Sequence, residues 1–498
     1  MARSSKLTAQ GASAVSAKTL FEILLEDVQK ASAMSFDDWS ALSSFPLVSL
    51  AIPISSEREI RVTQKGIDAA HRLTAQSWQK REDLRQTIVR AEFDRLSFRA
   101  IGEAISDCQR HLPSEDMAEE QEEASEAFFA AVATDYEENL QRLADVSRVD
   151  VYRHIPCHLF HGNQSVRPFS VGPVEFLPRA DWIKRYVRHE AQRCHIRRVE
   201  NREISYDDIR EQALIPNSDR SLWAAWELLR SLRNFEWVAT VKMEGHELTQ
   251  SHKKAGIIVG LAMDAIGLRF SANDAKRFTK AGRQHLFAED RLATSVDGAF
   301  LRGSSVEMPG LGAAPGVLAT RMEAERPFLD AAGKVLQSYL HGRQAGRALH
   351  LVERWANALY WVGEARREAS DFMAVVNYGC AADGLSGAGG AANAMTEFAE
   401  AALNPTDEPT PPGSLSVGDA VNKVYREGRN KLAHGETSGL FEDLSETRAV
   451  GDSLLTHLFD AVTFELVAMM EERPELPTLQ EKHAYKALTA RLKQRDAD

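Results

Sequence analysis

At 498 residues, with 44% apolar and 27% charged residues, the chain is too long for one hydrophobic core and too ordinary in composition to be fibrous or disordered. Two or three folded domains are expected. The formal net charge of −12 argues against non-specific coating of nucleic acid, which needs a cationic surface. Cys108, Cys157, Cys194 and Cys380 are scattered with no CxxC pair, which excludes a disulfide framework. MARSSKLTAQ has no apolar signal-peptide core, and the most apolar internal stretch (Ala255 to Met263) is too short to span a bilayer. The expectation is a cytoplasmic protein with no membrane contact.

In chain order, residues 19–31 place Leu20, Phe21, Leu24, Leu25 and Val28 at helical spacing. Two longer helices are predicted over 66–110 (Leu73, Leu84, Ile88, Phe93, Ile101, Ile105) and 117–147 (Phe128, Phe129, Val132, Tyr136, Leu140, Leu143). His111-Leu112-Pro113 separates them into an antiparallel pair, because proline interrupts a helix. Character changes near residue 150. Val151 to Phe160 and Phe169 to Leu177 are rich in β-branched and aromatic residues and predict strands, with Gly172-Pro173 as a turn. A basic helix over 181–198 follows, then helical stretches at 220–243 and 255–269, and a hairpin turn at Val296-Asp297-Gly298-Ala299. The Gly- and Pro-rich segment 303–316 marks a domain boundary. Beyond it, helices are predicted at about 319–341, 345–368, 370–383, 392–403, 416–433 and 443–472.

The charge is local. Glu115, Asp116, Glu119, Glu120, Glu122, Glu123 and Glu126 form an acidic run, whereas Lys184, Arg185, Arg188, Arg193, Arg197 and Arg198 are opposed only by Glu190. On the basic helix, Lys184, Arg188 and His195 at helical spacing form a candidate stripe for RNA phosphates, against a plain solvated face. Cys157-His158-x-x-His161 and Cys194-His195 have the residue types of zinc ligands but the spacing of no standard finger, so no metal or other cofactor is expected. Walker, HExxH and Gly-x-Ser-x-Gly motifs do not occur.

The segment Asp419 to Glu436, DAVNKVYREGRNKLAHGE, carries Val421, Val424, Tyr425 and Leu432 as one buried stripe, and Gly435 where a helix ends in a left-handed residue. Arg429, Asn430 and His434 fall in its last turns. Cleaving RNA through its own 2′-hydroxyl needs a base, an acid for the departing 5′-oxygen, and positive charge on the phosphate. Histidine titrates near neutrality, arginine offers paired donors to phosphate, and asparagine can orient either group; the chemistry needs no metal. Arg429 and His434 lie about 140° apart on an ideal α-helix, so acting on one phosphate requires a distorted helix end or a second subunit. The competing reading is a helix C-terminus with cations beside its negative end.

Arg429-Asn430-x-x-x-His434, within RNKLAHG, resembles the signature of HEPN domains, most like the ApeA-like group in which the nuclease follows a longer N-terminal region. The resemblance covers about 180 of 498 residues and implies a C-terminal HEPN-type helical bundle (317–498); with the mixed α/β module (150–302) and the N-terminal helical pair (1–149) read from the patterning above, the expected fold is mainly α. The resemblance implies a metal-independent endoribonuclease cutting RNA, tRNA included, to 2′,3′-cyclic phosphate ends. It further implies a homodimer through the HEPN domain, and a regulated toxin-like or anti-phage defence role in which residues 1–302 sense a phage-derived or cellular trigger. In CAADGLSG, Asp383 takes the place of the acidic residue that the family carries before its motif, with a cap or turn role as the alternative. Lys184, Arg185, Arg188, Arg197 and Lys431 are the candidate RNA-binding residues. The alternative activity is a non-catalytic HEPN dimer that binds RNA or a partner protein as sensor or antitoxin.

Overall fold

The computed structural model describes residues 16–34, 50–108, 121–161, 165–232, 234–282, 287–289, 293–302, 305–341, 349–403, 415–435, 442–472 and 481–494, less the side chains of 121–127, 287–289, 302, 305–307, 349, 434 and 481. The protein is mainly helical with a small sheet. It divides into two compact units, Met1–Val151 with Met243–Lys253, and Tyr152–Lys242 with Lys254–Asp498.

In the first unit, α1 (Ala17–Ala33) begins where the Ser16 side chain accepts the Thr19 N–H, filling a donor that the first turn leaves open. A hairpin of β1 (Ala51–Pro53) and β2 (Glu59–Arg61) follows, then α2 (Gln64–Lys80), α3 (Glu82–Thr87), α4 (Arg90–Cys108) and α5 (Gln121–Ser147). The single helix expected over 66–110 is therefore three. Neither break carries Gly or Pro. The second is held from a distance: the Glu247 N–H donates to the Thr87 carbonyl at 2.8 Å, and the Glu247 carboxylate accepts the N–H groups of Thr249 and Gln250. The acidic side chains of 115–126 and the expected break at 111–113 lie outside the described residues.

Phe93, Leu96, Ile101, Val132, Tyr136 and Leu140 join α4 and α5 in one core. Inside it, Thr74, Ser97 and Tyr136 are linked hydroxyl to hydroxyl at 2.8 and 2.9 Å, so each of these three buried groups has a partner. Asp27, 4% exposed, accepts the N–H and hydroxyl of Thr63.

In the second unit, β3 (Val149–His158), β4 (Phe169–Val171), β5 (Val174–Pro178), β6 (Trp237–His246) and β7 (Thr279–Lys280) contribute to one sheet in the order β4-β5-β6-β3-β7. β4 and β5 turn at Gly172, as expected, with φ of 56°. The helix expected over 220–243 stops early. Helix Arg220–Leu232 gives way to β6, whose first five residues are all buried and therefore show no alternation to betray a strand. The basic helix expected over 181–198 is two helices, Arg179–Tyr186 and Glu190–Glu200. The hairpin at 296–299 is present, pairing Ala293–Thr294 with Phe300–Arg302 around Gly298 at φ 87°. The segment 303–316 contributes a strand, Ser305–Glu307, against Phe287–Glu289, and belongs to the same unit as the helices after it.

The helix expected over 319–341 is two, Val317–Ala324 and Arg326–His341; the others, Leu349–Arg367, Asp371–Ser386, Ala392–Ala402, Val417–Val421 continuing to His434, and Ser445–Glu472, lie near their expected positions. A further helix, Glu481–Gln494, was not anticipated. Ser445–Glu472 is long and apolar enough to cross a membrane by length and composition, but 61% of its most apolar window is buried within the fold. Its Leu454, Leu458, Val462 and Leu466 belong to the bundle core.

Two glycines set how the sheet meets the bundle. A Cβ at Gly333, in helix Arg326–His341, would lie 2.3 Å from the Gly172 N, so backbone packs on backbone. Gly333→Ala should therefore cost about 1–3 kcal/mol through overpacking. Gly256→Ala, at a helical site where a Cβ meets nothing, should gain about 0.5–1 kcal/mol. Urea unfolding of the two variants checks both; a neutral Gly333→Ala would contradict the packing.

Candidate functional site

Helix Asp371–Ser386 lies at the centre of the bundle, packed against Leu349–Arg367, Ser445–Glu472 and the motif helix. The motif helix starts at Ser416, whose side chain accepts the Asp419 N–H at 3.1 Å. From Asn422 to Asn430 it widens into a π-helix, closed by i→i+5 bonds, before a short α-helical end at Lys431–His434. Gly435 ends it at φ 69°, as the sequence anticipates. A distorted helix end is thus present, although the wide turns stop at Asn430. Such π segments recur at functional sites. The sequence carried one sign of it, Gly428 in a helix interior, where a Cβ would lie 2.6 Å from Val375 Cγ1 and 3.1 Å from the Lys423 carbonyl.

Three features fix Arg429. Its stem lies against Gly379, where a Cβ would come within 2.4 Å of Arg429 Cβ. Its guanidinium stands over the Tyr425 ring, 5.5 Å from the centroid. Its Nη1 donates to Asn430 Oδ1 at 2.9 Å. Neighbouring cations are tied down: Lys423 pairs with Glu446 at 2.5 Å, Arg426 donates to Asn393 Oδ1 at 2.7 Å, and Arg448 pairs with Asp371 at 2.8 Å. Arg429 has no carboxylate partner among the described residues, and Lys431 is exposed. The His434 side chain lies outside the described residues.

Asp383 sits in the last turn of helix Asp371–Ser386. Its carboxylate accepts the Gly390 N–H at 2.8 Å and so organises the glycine-rich turn. This is the geometry of a turn residue. Its charge still reaches the site: burial, then Asp383, pushes the Tyr425 phenol up, while Arg429 pulls it down. Tyr425, which the sequence reading treated only as a core position, is therefore part of the site. Tyr485 of the last helix supports the same turn, donating to the Gly384 carbonyl at 3.0 Å and packing its ring on Gly387.

The five RNA-binding candidates fall into two places. Lys431 belongs to the motif helix; Lys184 and Arg185 lie on the first helix after β5, Arg188 in the break that follows it, and Arg197 on the second helix. There Arg185 pairs with Glu175, and Arg197 with Glu190. Lys184 and Arg188 are exposed with no ion-pair partner among the described residues. The break at 187–189 disrupts the continuous stripe expected of Lys184, Arg188 and His195. Beneath these helices the Trp182 indole donates to His154 Nδ1 at 3.0 Å, and burial lowers the imidazole pKa to about 4.

The chain matches no protein-family model, no curated protein and no solved structure in the comparisons made with each.

Two outcomes are expected. Gly379→Ala should destabilise by about 1–3 kcal/mol because the Arg429 stem leaves no room for a methyl group; unchanged urea midpoints would show that the stem does not lie there. For His154, the folded pKa lies below the ordinary 6.5, so its contribution is complete above that value and is lost as pH falls toward about 4. The wild-type midpoint should fall more steeply than that of His154→Gln between about pH 7 and about pH 4; parallel curves would show that the ring is not buried as described.

Proposed function

We propose that the chain is a metal-independent endoribonuclease of the HEPN type, cutting RNA through its own 2′-hydroxyl. The observation that carries this reading is Arg429, a guanidinium aligned by Asn430 and Tyr425 and without a carboxylate partner among the described residues, whereas Lys423 and Arg448 are paired. An arginine held this way is ready to bind a phosphate and the extra charge of a pentacoordinate transition state. His434, five residues on, acts as general acid or base, and Asn430 positions Arg429. Asp383 shapes the adjoining turn rather than touching the scissile group.

The product carries a 2′,3′-cyclic phosphate and a free 5′-hydroxyl. A dimer of HEPN bundles would let a second protomer supply whichever group the helix geometry keeps apart. The activity suits a toxin-like or anti-phage effector held in check until residues 1–302 sense a trigger.

Purified protein is incubated with total RNA or tRNA in EDTA, beside Arg429→Ala and His434→Ala. Loss of a general acid or base costs about 10²–10⁴ in rate, and loss of a charge-stabilising donor about 10²–10³. Cleavage that survives in both variants, or that requires added metal, overturns the assignment. Mixing the two inactive variants restores activity if Arg429 and His434 act across the dimer.

A further inference from the structure

We infer that the face of the second unit built on Tyr152, beside helix Arg179–Tyr186, receives an unpaired base of single-stranded RNA, with Lys184 and Arg188 taking its phosphates. The choice of RNA rests on the preceding reading; the stacking surface rests on its own geometry.

Tyr152 is 53% exposed, yet its ring is held on two sides. It lies nearly parallel to His154, at 12° with centroids 6.4 Å apart, and packs on Tyr186 at 5.6 Å. Tyr186 in turn packs on His154 at 4.7 Å and on Trp182 at 6.0 Å. A ring pinned this way loses little freedom when a base stacks on its open face, and an aromatic face accepts any base. Trp182 is buried and His154 and Tyr186 are half-buried, so three packed rings back the one exposed ring of Tyr152.

The cluster also offers a polar contact. An indole can only donate, so the bond from Trp182 makes His154 Nδ1 an acceptor and places the proton of the neutral ring on Nε2. Thr240 Oγ1, 3.0 Å away, converges on the same Nδ1. Nε2–H has no partner among the described residues and suits a carbonyl or ring nitrogen on a base edge.

Charge favours the same occupant. Residues 179–199 hold seven Lys and Arg against Asp181 and Glu190. Glu175, Glu190 and Glu200 engage Arg185, Arg193, Arg197 and Arg179, which leaves Lys184, Arg188 and Arg198 for a polyanion. Arg185 also lies over the Tyr186 ring at 5.4 Å, adding a cation beside the stacking surface. Base-paired RNA would not do, because its bases present no open face.

The test uses the full chain carrying His434→Ala, so that the probe survives, and a fluorescein-labelled unstructured oligoribonucleotide followed by anisotropy. Tyr152→Ala should weaken binding about tenfold, whereas Tyr152→Phe should bind as the parent does. Arg188→Ala should weaken binding and flatten its salt dependence by about one charge. The inference is overturned if Tyr152→Ala binds unchanged, if a duplex of the same sequence competes equally, or if the parent does not bind. RNA cleavage by protein bearing His434, with binding indifferent to Tyr152, would remove this surface and leave the catalytic reading intact. Binding that depends on Tyr152 in a chain that never cleaves would do the reverse.

Discussion

Helix Asp371–Ser386 can touch the motif helix and helix Ser445–Glu472 at once because side chains are missing where they meet. Gly379 yields to the stem of Arg429, Gly428 to Val375, and Gly451 to the ring of Tyr378. Close approach then allows a buried polar node. Arg366, 4% exposed, pairs with Asp452 at 2.6 Å, and the Tyr378 hydroxyl donates to the same carboxylate at 2.8 Å. A buried guanidinium is costly unless fully bonded, and this one is: it also donates to Thr456 and to the carbonyls of Gly267 and Phe270. The node fixes the register of the helices, and through them the place of Arg429.

The C-terminal half was the more legible because the central and motif helices there carry their own punctuation. Ser370 and Ser416 cap helix starts, and Gly387 and Gly435 end helices in the left-handed conformation. Where the sequence misled, the cause lay elsewhere in the chain. The break after Thr87 is stabilised by Glu247, one hundred and sixty residues on, which no local pattern reveals. Strand β6 is buried on both faces at its start, so its apolar run reads as a helix. The last helix was overlooked although Ala484, Tyr485, Leu488 and Leu492 mark its buried side.

The candidate site was legible in composition but not in arrangement. Residue types named Arg429 and Asn430, and the structure gives them a common geometry. The π-helix is a choice of hydrogen-bond register rather than of residue, so spacing on an ideal helix could not foresee it. Tyr425 was hidden for a related reason: its value lies in standing under a guanidinium four positions later, while its burial made it look like core alone.

The helix Glu481–Gln494 has a bearing on how this protein is handled. Tyr485 clasps the turn that Asp383 closes, and Arg491 anchors the helix to Glu465 and Glu472. Anything that peels this helix away, whether proteolysis, shortening of the chain or a fused partner, removes the support behind Gly384 and Gly387. The floor beneath Tyr425 would then loosen without a single change in the motif itself.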